Sequence, residues 1–121
     1  MAFEITNSLR AKTFVRIVGN TNTLITLSAL AKDAEETVSG ATIAQASGVT
    51  DGVWRIYRGN DATGVLVLEL PAFSHYQFYE FDCAVANSAT SNIFVTNSGT
   101  AGTMVLQLSK SATYNPPLLG I

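Results

Sequence analysis

The sequence predicts an all-β fold: a single antiparallel β-sandwich or jelly-roll-like domain of about eight strands. Three observations carry that expectation. Runs of β-branched, aromatic and aliphatic residues recur at intervals of roughly 8–14 residues, separated by clusters of Gly, Asn, Asp, Ser and Thr. No segment sustains a helical period over the length of an ordinary helix. Only 13% of the 121 residues are charged while 47% are apolar, against about 25% charged in average domains. Such a composition excludes disorder, which needs low hydrophobicity with high charge, and a coiled coil, which needs abundant Glu and Lys. The length suits one domain with its own core.

The elements follow in order. Residues 1–12 are an N-terminal arm or lead, either a strand, a reach toward a neighbour, or unstructured. Thr13–Val18 is the first strand of the domain, which spans 13–110. Gly19-Asn20-Thr21-Asn22 has hairpin chemistry, because Gly and Asn tolerate positive φ. It leads into Thr23–Leu27, with Ile25 and Leu27 sharing a face. Ser28–Glu36 reads as a loop with at most one helical turn, Ser28 being a candidate cap. Acids where a helix would end argue against anything longer. Thr37–Ala46 is a strand of small residues, and Ser47–Gly52 a turn.

Val53–Arg58 alternates Trp54 and Ile56 against Arg55. The loop Gly59–Gly64 joins it to Val65–Leu70, which sets Leu66, Leu68 and Leu70 against Glu69, so the pair forms a hairpin. Pro71 ends that strand. Ser74–Asp82 is an aromatic strand, followed by a loop at 87–91 and a short strand, Asn92–Thr96. Ser98–Thr103 is a hairpin turn into Thr103–Ser109, where Met104, Leu106 and Leu108 face inward. Residues 111–121 form an apolar tail interrupted by Pro116-Pro117.

Catalytic and metal constellations do not assemble, and no cofactor is expected. A single cysteine, Cys83, allows no intrachain disulfide, and His75, the one histidine, stands roughly 26 Å away along the same strand. One His and one Cys do not make a zinc site. Glu80 and Asp82 share a strand face at about 7 Å, a glycosidase-like spacing with nothing else to support it. Asp33, Glu35 and Glu36 read as a solvated loop. The loops around Asp51 and Asp61 lack the spaced oxygens of a calcium site. Ser98–Thr103 lacks the ending of a phosphate loop.

A net charge of −2 gives no footprint for nucleic acid. No apolar run approaches a membrane span, and the first residues resemble no signal peptide. A soluble protein made in a cytoplasm is expected.

What remains is interaction chemistry. Arg10, Lys12 and Arg16 form the only basic cluster. Tyr76, Phe78, Tyr79 and Phe81 fall on both faces of one strand, so one face can serve a subunit interface or a sugar platform. Tyr114, Leu118, Leu119 and Ile121 make the tail a second docking element, either on its own domain or on a neighbour.

The segments Val53–Asp61 and Val65–Pro71, together with Thr13–Asn20, Asn92–Thr100 and Leu106–Ser109, resemble small virion structural proteins of marine T-even-like cyanophages. That resemblance rests on strand-and-turn texture and supplies no catalytic residues. It implies a capsid decoration protein on the virion head surface. Its partners would be the major capsid protein or other virion proteins, and copies would assemble as homo-oligomers, trimers above all. The rivals are a neck, baseplate or tail-fibre-associated protein, and a carbohydrate-binding module using Trp54, Tyr57 or Tyr76.

Overall fold

The structure, a computed structural model, describes residues 3–8, 12–31, 36–77 and 90–114, with the side chains of 6–8, 72–77 and 113–114 outside that description. It is all-β. The strands are β1 (Phe3–Ser8), β2 (Lys12–Val18), β3 (Thr23–Ile25), β4 (Glu36–Arg58), β5 (Val65–Gln77), β6 (Ile93–Asn97) and β7 (Gly102–Tyr114). One 3₁₀ turn, Leu27–Leu30, follows β3, and Thr26 rather than Ser28 occupies its N-cap.

Among the described residues every pairing is antiparallel, in the order β1-β2-β7-β4-β6-β3, with β5 also on β4. The organising element is β4, 23 residues long. Along one edge it pairs first with β7, from Glu36 to Thr50, and then with β6, from Trp54 to Arg58. Along the other edge it pairs with β5, and that register breaks between Val49 and Val53. The sheet is strongly curled. Its curl brings the end of β4 back over its beginning, where the Arg58 guanidinium donates to the Ala41 carbonyl at 2.7 Å.

Alternation builds a single core. Val15 and Ile17 from β2, Ile25, Leu30, Ile43, Trp54, Ile56, Ile93, Val95, Met104, Leu106 and Leu108 are all fully buried. Burying each of these large side chains stabilises the fold by about 1.5–3 kcal/mol. The indole N–H of Trp54 is satisfied by the Val49 carbonyl at 3.1 Å.

The structure corrects several expectations. Ser47–Gly52 is not a turn but part of β4, because its small residues let the strand bend. A Cβ on Gly48 would stand 2.9 Å from the Trp54 ring, and one on Gly52 would stand 2.3 Å from the Gly99 nitrogen. Pro71 does not end its strand. It sits opposite Val53 in β5, which pairs on one side only among the described residues, and edge strands tolerate proline.

Residues 19–22 do not close a hairpin, since β2 pairs with β1 and β7 while β3 pairs with β6. Gly19 does adopt positive φ, at 98°. Nor is Ser98–Thr103 a hairpin turn. It carries the chain from β6 to β7 along one edge of β4. Leu66 is exposed instead of sharing the core face with Leu68 and Leu70. Ile56 pairs Leu68 while Tyr57 pairs Leu66, so Val67 is an extra residue and turns Leu66 outward. The β4–β5 hairpin with its Gly59–Gly64 loop is as expected, and Asp61 accepts from the Thr63 backbone N–H and hydroxyl within that loop.

Candidate interaction surface

The bend in β4 is held by polar side chains. Asp51 accepts from the Thr100 hydroxyl at 2.5 Å, the Thr100 backbone N–H at 2.8 Å and the Ala101 N–H at 3.3 Å. These bonds, led by the Thr100 hydroxyl, hold its carboxyl below the ordinary value of 3.8. Beside it the Thr50 hydroxyl donates to Asn97 Oδ1 at 2.7 Å, and the Asn97 amide donates to the Gly19 carbonyl at 3.1 Å. This corner sets the direction in which each half of the curled sheet faces solvent.

Beyond the corner, the outer face of β3-β6-β4-β5 carries an apolar ridge. Leu24 pairs Phe94, Phe94 pairs Tyr57, and Tyr57 pairs Leu66, giving one row across four strands. At a strand spacing of about 4.8 Å the row is roughly 14 Å long. Leu24 and Leu66 are 39% and 43% exposed, and Phe94 and Tyr57 are half-buried. The two rings pack at 6.3 Å between centroids with a 50° tilt, within the range of favourable aromatic pairs. The next row holds Thr96, Arg55 and Glu69, and Arg55 Nε donates to Glu69 at 2.6 Å.

Before the corner, the outer face of β2-β7-β4 is gentler. Val18, Thr103 and Val49 form one row, and Arg16, Val105 and Ser47 the next. All three valines are exposed. Arg16 is bound to Glu4 of β1, and Lys12, two rows further along β2, adds an exposed charge to this face.

Sheet edges are poorly suited to association. A register shift between Ile5 and Asn7 interrupts β1, Pro71 and the bulge at Val67 interrupt β5, and β3 has only 3 residues. Bulges, proline and shortness are the ordinary means of blunting an edge. Beside these three edges the faces offer the more continuous surfaces.

The residues singled out from sequence do not converge on one site. Lys12 is exposed at the start of β2, and Arg16 lies further along the same strand, engaged by Glu4. Arg10, Phe78, Tyr79, Phe81, Leu118, Leu119 and Ile121 lie outside the described residues, as do Asp33, Glu35, Glu80, Asp82 and Cys83. The backbones of Tyr76 and Tyr114 pair Ala46 and Glu36, their side chains lying outside the description, as does that of His75. Trp54 is 1% exposed, which removes it as a sugar platform; its ring belongs to the core.

Glu36 is not solvated. It is buried at the start of β4 and accepts from Lys110 Nζ at 3.1 Å, and Lys110 also donates to the Leu30 carbonyl at 3.1 Å. Arg58 is buried too, donating to Ala41 and to the Ser91 carbonyl, and burial pushes its guanidinium down to about 10. It stays charged at neutral pH.

Sequence reasoning misses Leu24, Phe94 and Leu66. Their signal is consecutive apolar residues, as in Leu24-Ile25, Ile93-Phe94-Val95 and Val65-Leu66-Val67-Leu68, which force apolar side chains onto both faces of a strand. Among the described residues no group of three or more metal-ligating side chains forms, and no helix is long and apolar enough to cross a membrane. No protein-family model matches this chain, and no curated protein matches it in sequence.

Proposed function

We propose that this chain is a non-enzymatic phage virion structural protein, a capsid decoration protein that binds the outer head surface. The observation that carries the reading is the pair of outward faces, each with an apolar row set among Thr, Ser and Gln, with Arg16 and Arg55 each paired to a glutamate of the same chain. Burying such a surface desolvates little charge. The resemblance noted in the sequence supplies the partner class, the major capsid protein, and self-association into homo-oligomers. We read the curled sheet as a jelly-roll-like sandwich, with β4 shared between its two halves.

Quantitative mass spectrometry of purified particles tests this. Copies in proportion to the major capsid protein are expected. A handful per particle would move the protein to the neck, baseplate or tail fibre, and absence from particles would overturn the virion reading. One observation favours a carbohydrate-binding role instead: Tyr57 is part-exposed on the outer sheet face beside Phe94. A glycan array without binders removes that reading.

A further inference from the structure

We propose that Asp51-Gly52 is a covalent modification site, at which the chain converts itself to isoaspartate whenever the Thr100 clasp at the bend of β4 is open. The modification needs no enzyme and no partner, and it stands apart from the virion reading.

This dipeptide is the one place in the sequence where Asp or Asn precedes Gly. A glycine has no side chain to shield its backbone nitrogen, so that nitrogen reaches the preceding carboxyl with the least hindrance. In the first step the Gly52 nitrogen bonds to Asp51 Cγ, and its proton leaves with a carboxyl oxygen as one water. The product is a five-membered succinimide. Water then adds to one ring carbonyl and breaks the bond from that carbonyl to nitrogen. Opening at Cγ restores aspartate. Opening at the α-carbonyl leaves the chain running through Cγ, with one extra methylene in the backbone and the α-carboxylate as a stub. No mass is gained or lost overall.

The fold occupies both reacting groups. Asp51 Oδ1 accepts from the Thr100 and Ala101 N–H groups at 2.8 and 3.3 Å, and Oδ2 from the Thr100 hydroxyl at 2.5 Å. These bonds favour the ionised carboxyl, and a carboxylate is a poor electrophile. The Gly52 N–H donates to Thr50 Oγ1 at 3.1 Å. Thr50 is itself anchored, donating to Asn97 Oδ1 and the Ala101 carbonyl. Space opposes the product as well: a Cβ on Gly52 would already stand 2.3 Å from the Gly99 nitrogen, so a lengthened backbone does not fit under that loop.

Burial plays no part in this protection. Asp51 is exposed, so water is at hand for both steps, and the guard is hydrogen bonding alone. Its donors at Thr100 and Ala101 lie 49 and 50 positions further along the chain. The site is therefore open in every state in which the loop between β6 and β7 has not docked.

Ageing the full chain at neutral pH, native and in denaturant, tests the proposal. Electron-transfer fragmentation of the peptide containing residue 51 distinguishes the two isomers. Isoaspartate is expected to accumulate at residue 51 in the denatured chain, and at least about tenfold more slowly in the native one, the factor that even one charge-assisted hydrogen bond implies. Thr100→Val, which removes the hydroxyl and keeps the backbone donors, should speed the native reaction several-fold, while Thr100→Ser stays near wild type. Fluorescence of the buried Trp54 reports that each variant is folded. A denatured chain that forms no isoaspartate at residue 51, a native chain that forms it as fast as the denatured one, or a folded Thr100→Val no faster than wild type would each overturn the proposal. The comparison of native and denatured wild type decides even where a variant fails to fold.

Discussion

Two of the places that fasten β4 to distant parts of the chain do it by opposite means. At its foot, Glu36 and Lys110 form an ion pair whose side chains are fully buried. At its bend, Asp51 grips Thr100 and Ala101 in the open, as a carboxylate accepting three hydrogen bonds. The foot is a high-stakes contact, because removing either partner strands a charge out of water. The bend is a low-stakes contact, because water replaces whatever is lost. Burial, more than the number of bonds, decides what each contributes.

The largest effect expected from breaking this contrast is at the foot. Glu36→Ala or Lys110→Ala alone should cost about 3–5 kcal/mol, read as a fall in the denaturant midpoint. The Glu36→Leu/Lys110→Met double variant should recover most of that loss, since both charges leave together. If the singles prove mild, the foot is wetter than its geometry indicates.

Next comes the backbone contact at the bend. A Cβ on Gly99 would stand 2.0 Å from Asp51 Oδ1 and 2.7 Å from the Gly52 nitrogen. Gly99→Ala must push the loop away, at about 1–3 kcal/mol, and should raise hydrogen exchange at the Thr100 and Ala101 amides.

Asp51 itself should show through pH. Its carboxyl is lowered below 3.8 in the folded state, chiefly by the Thr100 hydroxyl. Its contribution is therefore present above the unfolded-state pKa and lost as pH falls through the folded one. Asp51→Asn should be less stable than wild type at neutral pH, and the gap should close below about pH 3.8. A gap that persists in strong acid would show that the carboxylate's charge is not what holds the corner. The smallest effect belongs to the exposed pair on the ridge face: Arg55→Ala should change stability by under about 1 kcal/mol, measured by thermal melting at low and high salt.

How much of this is legible from sequence depends on the distance between partners along the chain. The β4–β5 hairpin is readable because Trp54, Ile56, Leu68 and Leu70 alternate on either side of a Gly-bounded loop. The bend reads as a turn because Gly48, Asp51 and Gly52 are turn residues by local chemistry; in the fold Gly48 makes room for a tryptophan ring and Gly52 for another backbone. Pro71 reads as a stop because nothing local reveals that a strand will lie at an edge. Glu36 and Lys110 lie 74 positions apart, so each looks like an isolated surface charge. The ridge is half legible: its consecutive apolar residues are in view, but the register that lines them up exists only once four strands have paired.

The reach of β4 also sets a timetable. Its pairing with β5 is local and can form as soon as the Gly59–Gly64 loop has been made. Its other edge must wait, since Thr50 and its loop partner Ala101 lie 51 positions apart. At about 5–20 residues per second, synthesis leaves that edge open for roughly 3–15 s, and non-local strand pairing is slow in its own right. The stretch that waits, Thr37–Thr50, is mostly Thr, Ser, Gly, Ala and Gln, a poor template for aggregation compared with the Val-Leu-Val-Leu run that finds its partner first. The weakest-looking strand in the sequence is thus the one able to leave an edge open while the rest of the chain is being made.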